Sequence, residues 1–385
     1  MTRAWIALAA TAFLLGGCET VGGAYDRMFG SSTKPVIPEL APIKQTVTMT
    51  VVWQAAVGAA EKNVFFPAID RGVVYAAGRS GEIAGFEAET GKPVSQFAAE
   101  QTLSAGVGAG GGLIVVGTGQ GEMLAFTDQG RPLWKARVLG ELLAPPEIDE
   151  GMVVTRAGNN QIYGFSAADG KQRWLYQRTP PSLSVRSHAG VVLHRGGVFA
   201  GFAGGRLVGL TLSTGAVGWE NVVALPRGTT ELERVADVTS LPVIDRNQVC
   251  AVAFQGRVAC FDLARGTQLW ARDVSSVAGL SVDDRYLYVT DDKSAVLALD
   301  KAGGASIWRQ DKLAGRVLTA PLGVGNHVVA GDIQGYVHVL ARDTGALEGR
   351  LATDGSAIAA PPVELGRGRF VVQTTNGGLF AIAIQ

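Results

Sequence analysis

The residues that most readily bind metals or react in this chain are its four histidines and three cysteines. The histidines lack the short spacings that let two side chains bind one ion. They are His188, His194, His327 and His338. The acidic pairs Asp283-Asp284 and Asp291-Asp292 fall in predicted hairpin turns, where Asp serves the turn itself. The sequence therefore predicts neither a metal site nor a cofactor.

One glycine-rich run, Gly106-Val-Gly108-Ala-Gly110-Gly111, matches the dinucleotide-binding fingerprint by its letters alone. That fingerprint needs a strand before it and a helix after it. Here a strand-type segment, Leu113-Ile-Val-Val116, follows instead. We therefore expect the run to be a loop between repeats and not a nucleotide site.

Cys250 and Cys260 lie on consecutive predicted strands around a turn near Gly256. In an oxidising compartment they could be directly opposite and cross-linked. Alternatively, they are two separate small residues of the core on opposite faces. Cys260 takes a position that other repeats fill with small residues, namely Gly85, Ala125, Gly164, Gly209 and Ala298. This favours free thiols.

The elements that carry these residues follow a motif that recurs eight times. Each copy has a small residue, an alternating strand and an apolar anchor, and successive anchors are separated by 40, 39, 45, 51, 38, 41 and 42 residues. The anchors are Phe86, Phe126, Phe165, Leu210, Phe261, Leu299, Leu340 and Ile382. A period near 40 with strand-type alternation is typical of a β-propeller blade. The sequence predicts an all-β, eight-bladed propeller of four-stranded antiparallel blades.

A tryptophan marks the outer strand of most predicted blades, eight or nine residues after the anchor. These are Trp134, Trp174, Trp219, Trp270 and Trp308, with Ser95 and Gly349 in the same slot of two other repeats. A glycine lies four residues before each slot and suits a tight turn. We expect each indole to lie against the next blade, where burial and ring contact stabilise the ring of blades.

The eighth repeat has no outer strand of its own, because only three residues follow Ile382. A strand-type segment, residues 48–57, stands at the other end of the repeat region with Trp53 in the docking role. We expect this segment to complete the last blade and close the ring, which removes free sheet edges.

The chain carries no net charge, with 34 basic and 34 acidic residues and no basic run, so nucleic acid is not an expected partner.

Residues 1–17 are predicted to be a signal peptide, with Arg3 before an apolar run too short to span a bilayer. That run ends in Leu15-Gly-Gly-Cys18, which resembles a bacterial lipobox and implies lipidation of Cys18. Residues 18–46 then form a periplasmic tether, and residues 47–385 form the propeller.

Two repeat intervals are longer than the rest, and their extra residues form segments 178–188 and 225–239. Both segments join the outer strand of one blade to the inner strand of the next. Connections of the same type emerge on the same face, here from neighbouring blades. Because loops on rigid scaffolds carry binding function, we expect one binding patch built from these two segments.

The content of these loops resembles the BamB family, the propeller lipoproteins of the outer-membrane β-barrel assembly machinery. The resemblance lies in Pro181-Ser-Leu-Ser-Val-Arg186 and Thr230-Glu-Leu-Glu-Arg234-Val-Ala-Asp237-Val, and less specifically in Leu318-Thr-Ala-Pro321. It implies a non-enzymatic scaffold, lipid-anchored at the outer membrane and facing the periplasm. Its partners would be the periplasmic POTRA domains of BamA and unfolded outer-membrane protein clients.

The same resemblance implies which residues bind BamA. They are Leu183, Val185 and Arg186 of the first loop and Asp237 of the second, whereas Thr239 stands where the family has a second acid. An apolar pair beside an arginine is also a plausible binding hot spot on physical grounds. The alternative is that Leu183 and Val185 only pack the loop and that Arg186 pairs with a nearby acid.

Two other functions remain open from the sequence. The repeat, as in Thr214-Gly-Ala-Val-Gly-Trp219, is similar to that of quinoprotein dehydrogenases, although the vicinal cysteine pair of those enzymes is absent. A small pyrroloquinoline-quinone-dependent enzyme is therefore one alternative. The other is a propeller lipoprotein that binds peptidoglycan or another periplasmic partner.

Overall fold

The computed structural model describes residues 37–385. The predicted signal peptide, the lipidation site Cys18 and the tether up to residue 36 lie outside the described residues. Within the described range all regular secondary structure is β-strand, and no helix there is long and apolar enough to cross a membrane. One compact unit extends from Leu40 to Gln385.

The strands form eight four-stranded antiparallel sheets, as predicted, and each sheet is one blade. Blade 1 is β2 (Ala68–Asp70), β3 (Val73–Ala77), β4 (Glu82–Glu87) and β5 (Pro93–Ala98). Blade 2 is β6 (Leu103–Gly110), β7 (Leu113–Thr118), β8 (Glu122–Thr127) and β9 (Pro132–Arg137). Blade 3 is β10 (Glu147–Asp149), β11 (Met152–Ala157), β12 (Gln161–Ser166) and β13 (Gln172–Gln177). Blade 4 is β14 (Val192–His194), β15 (Gly197–Phe202), β16 (Arg206–Thr211) and β17 (Val217–Val222).

The other four blades repeat this order. Blade 5 is β18 (Val243–Asp245), β19 (Gln248–Val252), β20 (Val258–Asp262) and β21 (Gln268–Arg272). Blade 6 is β22 (Gly279–Val282), β23 (Tyr286–Thr290), β24 (Val296–Asp300) and β25 (Ser306–Gln310). Blade 7 is β26 (Leu322–Val324), β27 (His327–Gly331), β28 (Tyr336–Ala341) and β29 (Leu347–Ala352). Blade 8 is β30 (Val363–Gly366), β31 (Arg369–Gln373), β32 (Gly378–Ile384) and β1 (Met49–Ala56).

The predicted closure of the ring is confirmed. Strand β1 pairs antiparallel with β32 from Met49 opposite Ile384 to Ala56 opposite Gly378. The N-terminal strand is therefore the outer strand of the last blade, and the two ends of the propeller are held in one sheet.

The predicted tryptophan docking is also confirmed. Each of the six described tryptophans donates its indole N–H to a backbone carbonyl of the next blade, at 2.7–3.0 Å. Each ring also lies against the glycine of the turn before that blade's outer strand, as Trp270 does against Gly304. Gly304 has φ of 72°, and a side chain there would both strain the backbone and overlap the indole. The ring face and the N–H thus fix how successive blades pack.

In the two blades without tryptophan, other apolar side chains fill the junction with the next blade. In blade 1, Phe97 lies against Gly130 of the following blade. Blade 8 has no such turn, because β1 comes from the other end of the chain. Val47 and Met49 instead pack over Gly349, the tryptophan slot of blade 7. The absence of a ring at this slot therefore follows from how the propeller closes.

The residues just before β1 lie along blade 7. The backbone N–H of Thr46 donates to the carbonyl of Glu348 at 2.8 Å, and Arg350 donates to the carbonyl of Ala41 at 3.2 Å. Leu40 packs into the apolar cluster between blades 6 and 7. The part of the predicted tether from residue 40 to 46 is thus seated on the propeller.

The expectation that the glycine-rich run is a loop is wrong. Residues 103–110 form β6, the first strand of blade 2. First strands of neighbouring blades contact one another around the axis, where space is short. A side chain at Gly108 would overlap the carbonyl of Pro146 in the next connection. The glycines therefore serve close packing near the axis.

The expectation of free thiols is also wrong, because Cys250 and Cys260 form a disulfide. They are a directly opposite pair on β19 and β20, with their Cα atoms 4.0 Å apart. Directly opposite residues point to the same face of a sheet, so the two side chains meet. Both cysteines are buried, so the disulfide lies in the core at the position that other repeats fill with a small residue.

A buried polar cluster links blades 6 and 7. Asp332 accepts hydrogen bonds from the Arg316 Nε at 2.6 Å and the His338 Nε2 at 2.9 Å, and all three side chains are buried. Burial opposes ionisation of Asp332, but the hydrogen bonds from His338 and Arg316 hold its pKa below the ordinary value. Burial lowers the pKa of His338. This histidine is thus a packed residue of the core.

Candidate protein-binding surface

The two inserted segments meet, as the sequence predicted. They lie in the connections from β13 to β14 and from β17 to β18, and we call them loop A (residues 178–188) and loop B (residues 225–239). The backbone N–H of Val185 donates to the Asp237 carboxylate at 2.6 Å, and the Ser182 hydroxyl lies 3.3 Å from the Glu231 carboxylate. The two loops therefore form one surface.

Loop A presents an aliphatic residue and an arginine to solvent. The side chain of Leu183 is 45% exposed, whereas Val185 is half-buried. The Arg186 guanidinium forms a two-pronged pair with Glu141, with Nε and Nη2 each 2.9 Å from a carboxylate oxygen. Its hydrogen bond to Glu141 raises the pKa of Arg186, so the group is cationic at any physiological pH. The contact of Arg186 with a nearby acid, one part of the alternative drawn from the sequence, is thus observed.

Because both members of this pair are substantially exposed, the pair adds little to folding stability. Its geometry matters more than its energy. The carboxylate uses one edge of the guanidinium and fixes the plane of the group at the surface. An arginine held in this way loses less conformational entropy when a partner binds it.

Asp237 lies beneath the surface and is only 3% exposed. One carboxylate oxygen accepts from the Val185 N–H, and the other accepts from the Gly204 N–H at 2.9 Å. Charge-assisted bonds to two backbone donors tie loop B to loop A and to the turn between β15 and β16. In this position Asp237 orients the surface and is not itself accessible to a partner.

A buried arginine lies close to the Asp237 carboxylate. Arg156 donates to the Ala189 carbonyl and to the Asn160 side-chain oxygen, both at 2.9 Å. Burial lowers the pKa of Arg156 to about 10, and the charge of Asp237 acts in the opposite direction. The electrostatic attraction between Arg156 and Asp237 under the loops supports the position of Asp237.

Thr239 is buried as well, and its hydroxyl donates to backbone carbonyls of residues 276 and 277 at 3.4–3.5 Å. Threonine suits this position because its hydroxyl group donates a hydrogen bond to these carbonyls. A carboxylate at neutral pH has no proton to donate here.

Sequence reasoning missed three residues of this surface. Glu141, in the connection from β9 to β10, orients Arg186. Leu225 and Leu232 of loop B are 59% and 72% exposed and add apolar area. The equivalence of the connections could have identified Glu141, because the connection before loop A emerges on the same face. The two leucines carry no such signal, since exposed aliphatic residues are common on protein surfaces.

A cavity of about 210 Å³ lies under the two loops, between Glu141, Arg156, Val185 and Asp237. Its walls combine the buried Arg156 and Asp237 with backbone of both loops. Among residues 37–385 no group of three or more His, Cys, Asp or Glu side chains could hold a metal ion.

Comparison with known proteins shows which family this chain is similar to. A family model described as outer membrane protein assembly factor BamB matches residues 79–310 and 292–385. The protein of that name from Nitrosomonas eutropha is 42% identical over 97% of this chain and 93% of its own length. The crystal structure of BamB from Moraxella catarrhalis has 26% identity and a TM-score of 0.79, and covers 87% of this chain and all of the other.

The propeller is also similar to an enzyme of known structure. Quinohemoprotein alcohol dehydrogenase from Comamonas testosteroni aligns with a TM-score of 0.70 at 12% identity, over 87% of this chain and 76% of that chain. At this identity the similarity extends to the fold alone.

Proposed function

The chain belongs to the family of the outer membrane protein assembly factor BamB, and we propose that it serves outer-membrane protein assembly as a non-catalytic scaffold. Its place is at the outer membrane, on the periplasmic side. The extent of the similarity supports this role, because the relatives that carry the assembly-factor name match nearly the whole chain.

The proposed partner is the periplasmic POTRA region of BamA, bound at the joined surface of loops A and B. The observation that carries this proposal is that Leu183 and Arg186 are both exposed on loop A, which contacts with Asp237 and Glu141 hold in place. Arginine is enriched in protein-binding hot spots, and the exposed Leu183 adds apolar area to the same loop. The identity of the partner rests on the resemblance of both loops to the matching loops of the family.

Within this surface the four predicted residues take two roles. Leu183 and Arg186 contact the partner directly, with Val185 packed beside them. Asp237 acts as a positioning residue, since its carboxylate is occupied by the N–H groups of Val185 and Gly204. Loss of Asp237 therefore weakens binding through the shape of loop A and not through a lost contact with the partner.

The test is co-purification of BamA with the lipidated protein from detergent extracts. Leu183→Ala with Arg186→Ala removes both contacts, each contributing on the order of 2 kcal/mol, or about thirtyfold in affinity. A matched control is Leu133→Ala with Arg285→Ala. Leu133 is 44% exposed and Arg285 also pairs with an acid, Asp343, but neither belongs to the loops.

We expect the loop variant to lose BamA and the control to retain it, with both unfolding at the wild-type temperature. Retention of BamA by the loop variant at the wild-type level would contradict the site. Loss of BamA together with a lowered unfolding temperature would make Leu183 a packing residue.

Anchoring through Cys18 is part of the same proposal. It is supported by the small residues before Cys18 and by the apolar run from Ala4 to Leu15. Three acyl chains on the mature N-terminus hold a protein firmly in a membrane, at about 0.8 kcal/mol per buried methylene. Mass spectrometry of the mature protein should find acylated Cys18 at its N-terminus, and an unmodified Cys18 would contradict the anchor.

A further inference from the structure

A larger cavity, of about 630 Å³, opens on the same face as loops A and B. Its walls come from the connections that lead into blades 1, 4, 5, 6, 7 and 8, whose first strands surround the propeller axis. We call this cavity the central funnel and define it by six apolar residues of its wall. They are Leu241, Val277, Val317, Leu318, Ile333 and Ala357.

The wall of the central funnel is mostly apolar, although six residues with a hydroxyl or imidazole group also line it, namely Ser187, His188, Thr239, Ser240, Ser281 and Thr319. Besides the aliphatic residues it contains four prolines, whose backbones have no N–H. These are Pro242, Pro321, Pro361 and Pro362. Its cationic side chain is Arg186, at the edge shared with loop A. A mostly apolar wall suits aliphatic or aromatic side chains, because their burial there removes apolar surface from water.

The rim of the funnel holds aliphatic residues in contact with solvent. Val317 is 60% exposed, and Val277 and Ile333 are also exposed. Three such residues around one apolar cavity form a patch rather than isolated surface positions. Contiguous apolar patches of this kind mark binding sites on soluble domains.

Val317 is unusual in its backbone as well. Its φ is +51°, a conformation that a β-branched residue rarely adopts and that costs energy. Ala357, which precedes the corresponding Ile358-Ala-Ala-Pro361 of the next connection, has no positive φ. Glycine would adopt the conformation of Val317 without strain, and the exposed valine side chain adds little to the core. The side chain is therefore available for a contact outside the fold.

The funnel and the loop surface are continuous. Val185 and Arg186 line both the 210 Å³ cavity under the loops and the central funnel. A molecule that contacts loop A through these residues is at the edge of the funnel. A single partner can therefore occupy both places.

We propose that the partner bound by loops A and B inserts apolar side chains into the central funnel. This inference rests on the proposed function and adds a second contact to it. The occupant is an exposed aliphatic or aromatic cluster of the folded periplasmic region of BamA, held between the rim residues Val277, Val317 and Ile333.

The test measures the affinity of the full-length lipidated protein in detergent for the purified periplasmic region of BamA. Val317→Gly removes the rim side chain and relieves the backbone strain. We expect at least fivefold weaker binding with an unfolding temperature equal to or above that of wild type. Ile333→Asp places a charge at the rim and should weaken binding more than tenfold. The matched control is Leu133→Asp, an exposed aliphatic residue of β9 away from the funnel.

The outcomes separate this inference from the proposed function. If the Leu183 and Arg186 double variant loses the partner while both funnel variants bind as wild type, the funnel is not a contact and the loop surface stands. If none of the variants weakens binding, both proposals are wrong. A lowered unfolding temperature in Val317→Gly would assign the valine to the fold and overturn the argument from strain.

A photo-reactive residue at position 333 identifies the occupant in intact cells. A cross-link to BamA supports the inference. Cross-links only to unfolded outer-membrane proteins, to lipid or to a second copy of this chain would each overturn it.

Discussion

The blade junctions and the loop surface differ in how their residues are used. At the junctions the six docked indoles are mostly buried and each repeats the same hydrogen bond to the following blade. At the loop surface Leu183 and Arg186 occur once and are exposed, and their supporting contacts are to Asp237 and Glu141. The junctions stabilise the ring, whereas the loops contribute little to it.

This difference implies that stability and partner binding can be changed separately. Because a junction residue contacts two blades, its loss lowers the stability of the whole ring. A loop residue contacts solvent on one side, so its loss leaves the blades intact. The predictions below test this separation, from the largest expected effect to the smallest.

Removal of the closing strand should have the largest effect. Deletion of residues 46–58 removes β1, exposes the edge of β32 and uncovers Gly349. We expect a loss comparable with the whole stability of a typical domain, roughly 5–15 kcal/mol, and no cooperative thermal unfolding by circular dichroism. A synthetic peptide of residues 46–58 should restore the transition. A deletion variant that unfolds as wild type would show that closure is not needed.

Two adjacent residues of β21 give the sharpest contrast between buried and exposed positions. Trp270 is 7% exposed and Leu269 is 53% exposed. Trp270→Ala should cost about 3–5 kcal/mol in chemical denaturation, since it leaves a cavity and an unpaired carbonyl at Lys301. Leu269→Ala should change stability by less than about 0.5 kcal/mol. Similar costs for the two variants would contradict the role assigned to the docked indoles.

The disulfide should stabilise the protein less than the docked tryptophan does. It closes a loop between residues 10 apart in sequence, and loop-closure entropy predicts about 2–3 kcal/mol. Reductant should therefore lower the unfolding temperature of wild type and leave that of Cys250→Ala with Cys260→Ala unchanged. Partner binding should be unaffected in both. An equal response of the two proteins to reductant would show that the bond does not form.

Asp237 shares properties of both regions, because it is buried like a junction residue but holds a loop in position. Asp237→Asn keeps one acceptor and loses a charge-assisted bond, so we expect about tenfold weaker binding of BamA. Asp343→Asn, a change at an exposed carboxylate outside the loops, serves as the control and should bind as wild type. If the control weakens binding equally, the role of Asp237 is not positioning.

The sequence predicts the repeated part of the molecule well, for a physical reason. Every blade must bury the same faces and turn at the same places, so anchors, glycines and tryptophans recur with a period that can be read directly. The closing strand also followed from this count, because Ile382 has no outer strand after it. The position of loops A and B followed from their excess length.

The positions that the sequence did not predict depend on the three-dimensional path of the chain. Whether Cys250 and Cys260 lie directly opposite each other depends on the register of β19 and β20. A shift of one residue would turn one of the two side chains to the other face of the sheet. The burial of Asp237 requires the approach of loop A and of Gly204, which are distant from it in sequence. The glycine-rich run around Gly108 required knowledge of the neighbouring connection at Pro146.

The central claim is that one exposed surface binds BamA independently of the contacts that hold the ring together. The most direct measurement is the affinity for the purified periplasmic region of BamA, with the unfolding temperature, for two proteins side by side. The double variant Leu183→Ala with Arg186→Ala should lose at least thirtyfold in affinity at an unchanged unfolding temperature. Trp270→Ala, measured well below its unfolding transition, should bind as wild type although it unfolds at a lower temperature. Equal affinities of the double variant and wild type would contradict the claim, and so would a loss of binding in folded Trp270→Ala.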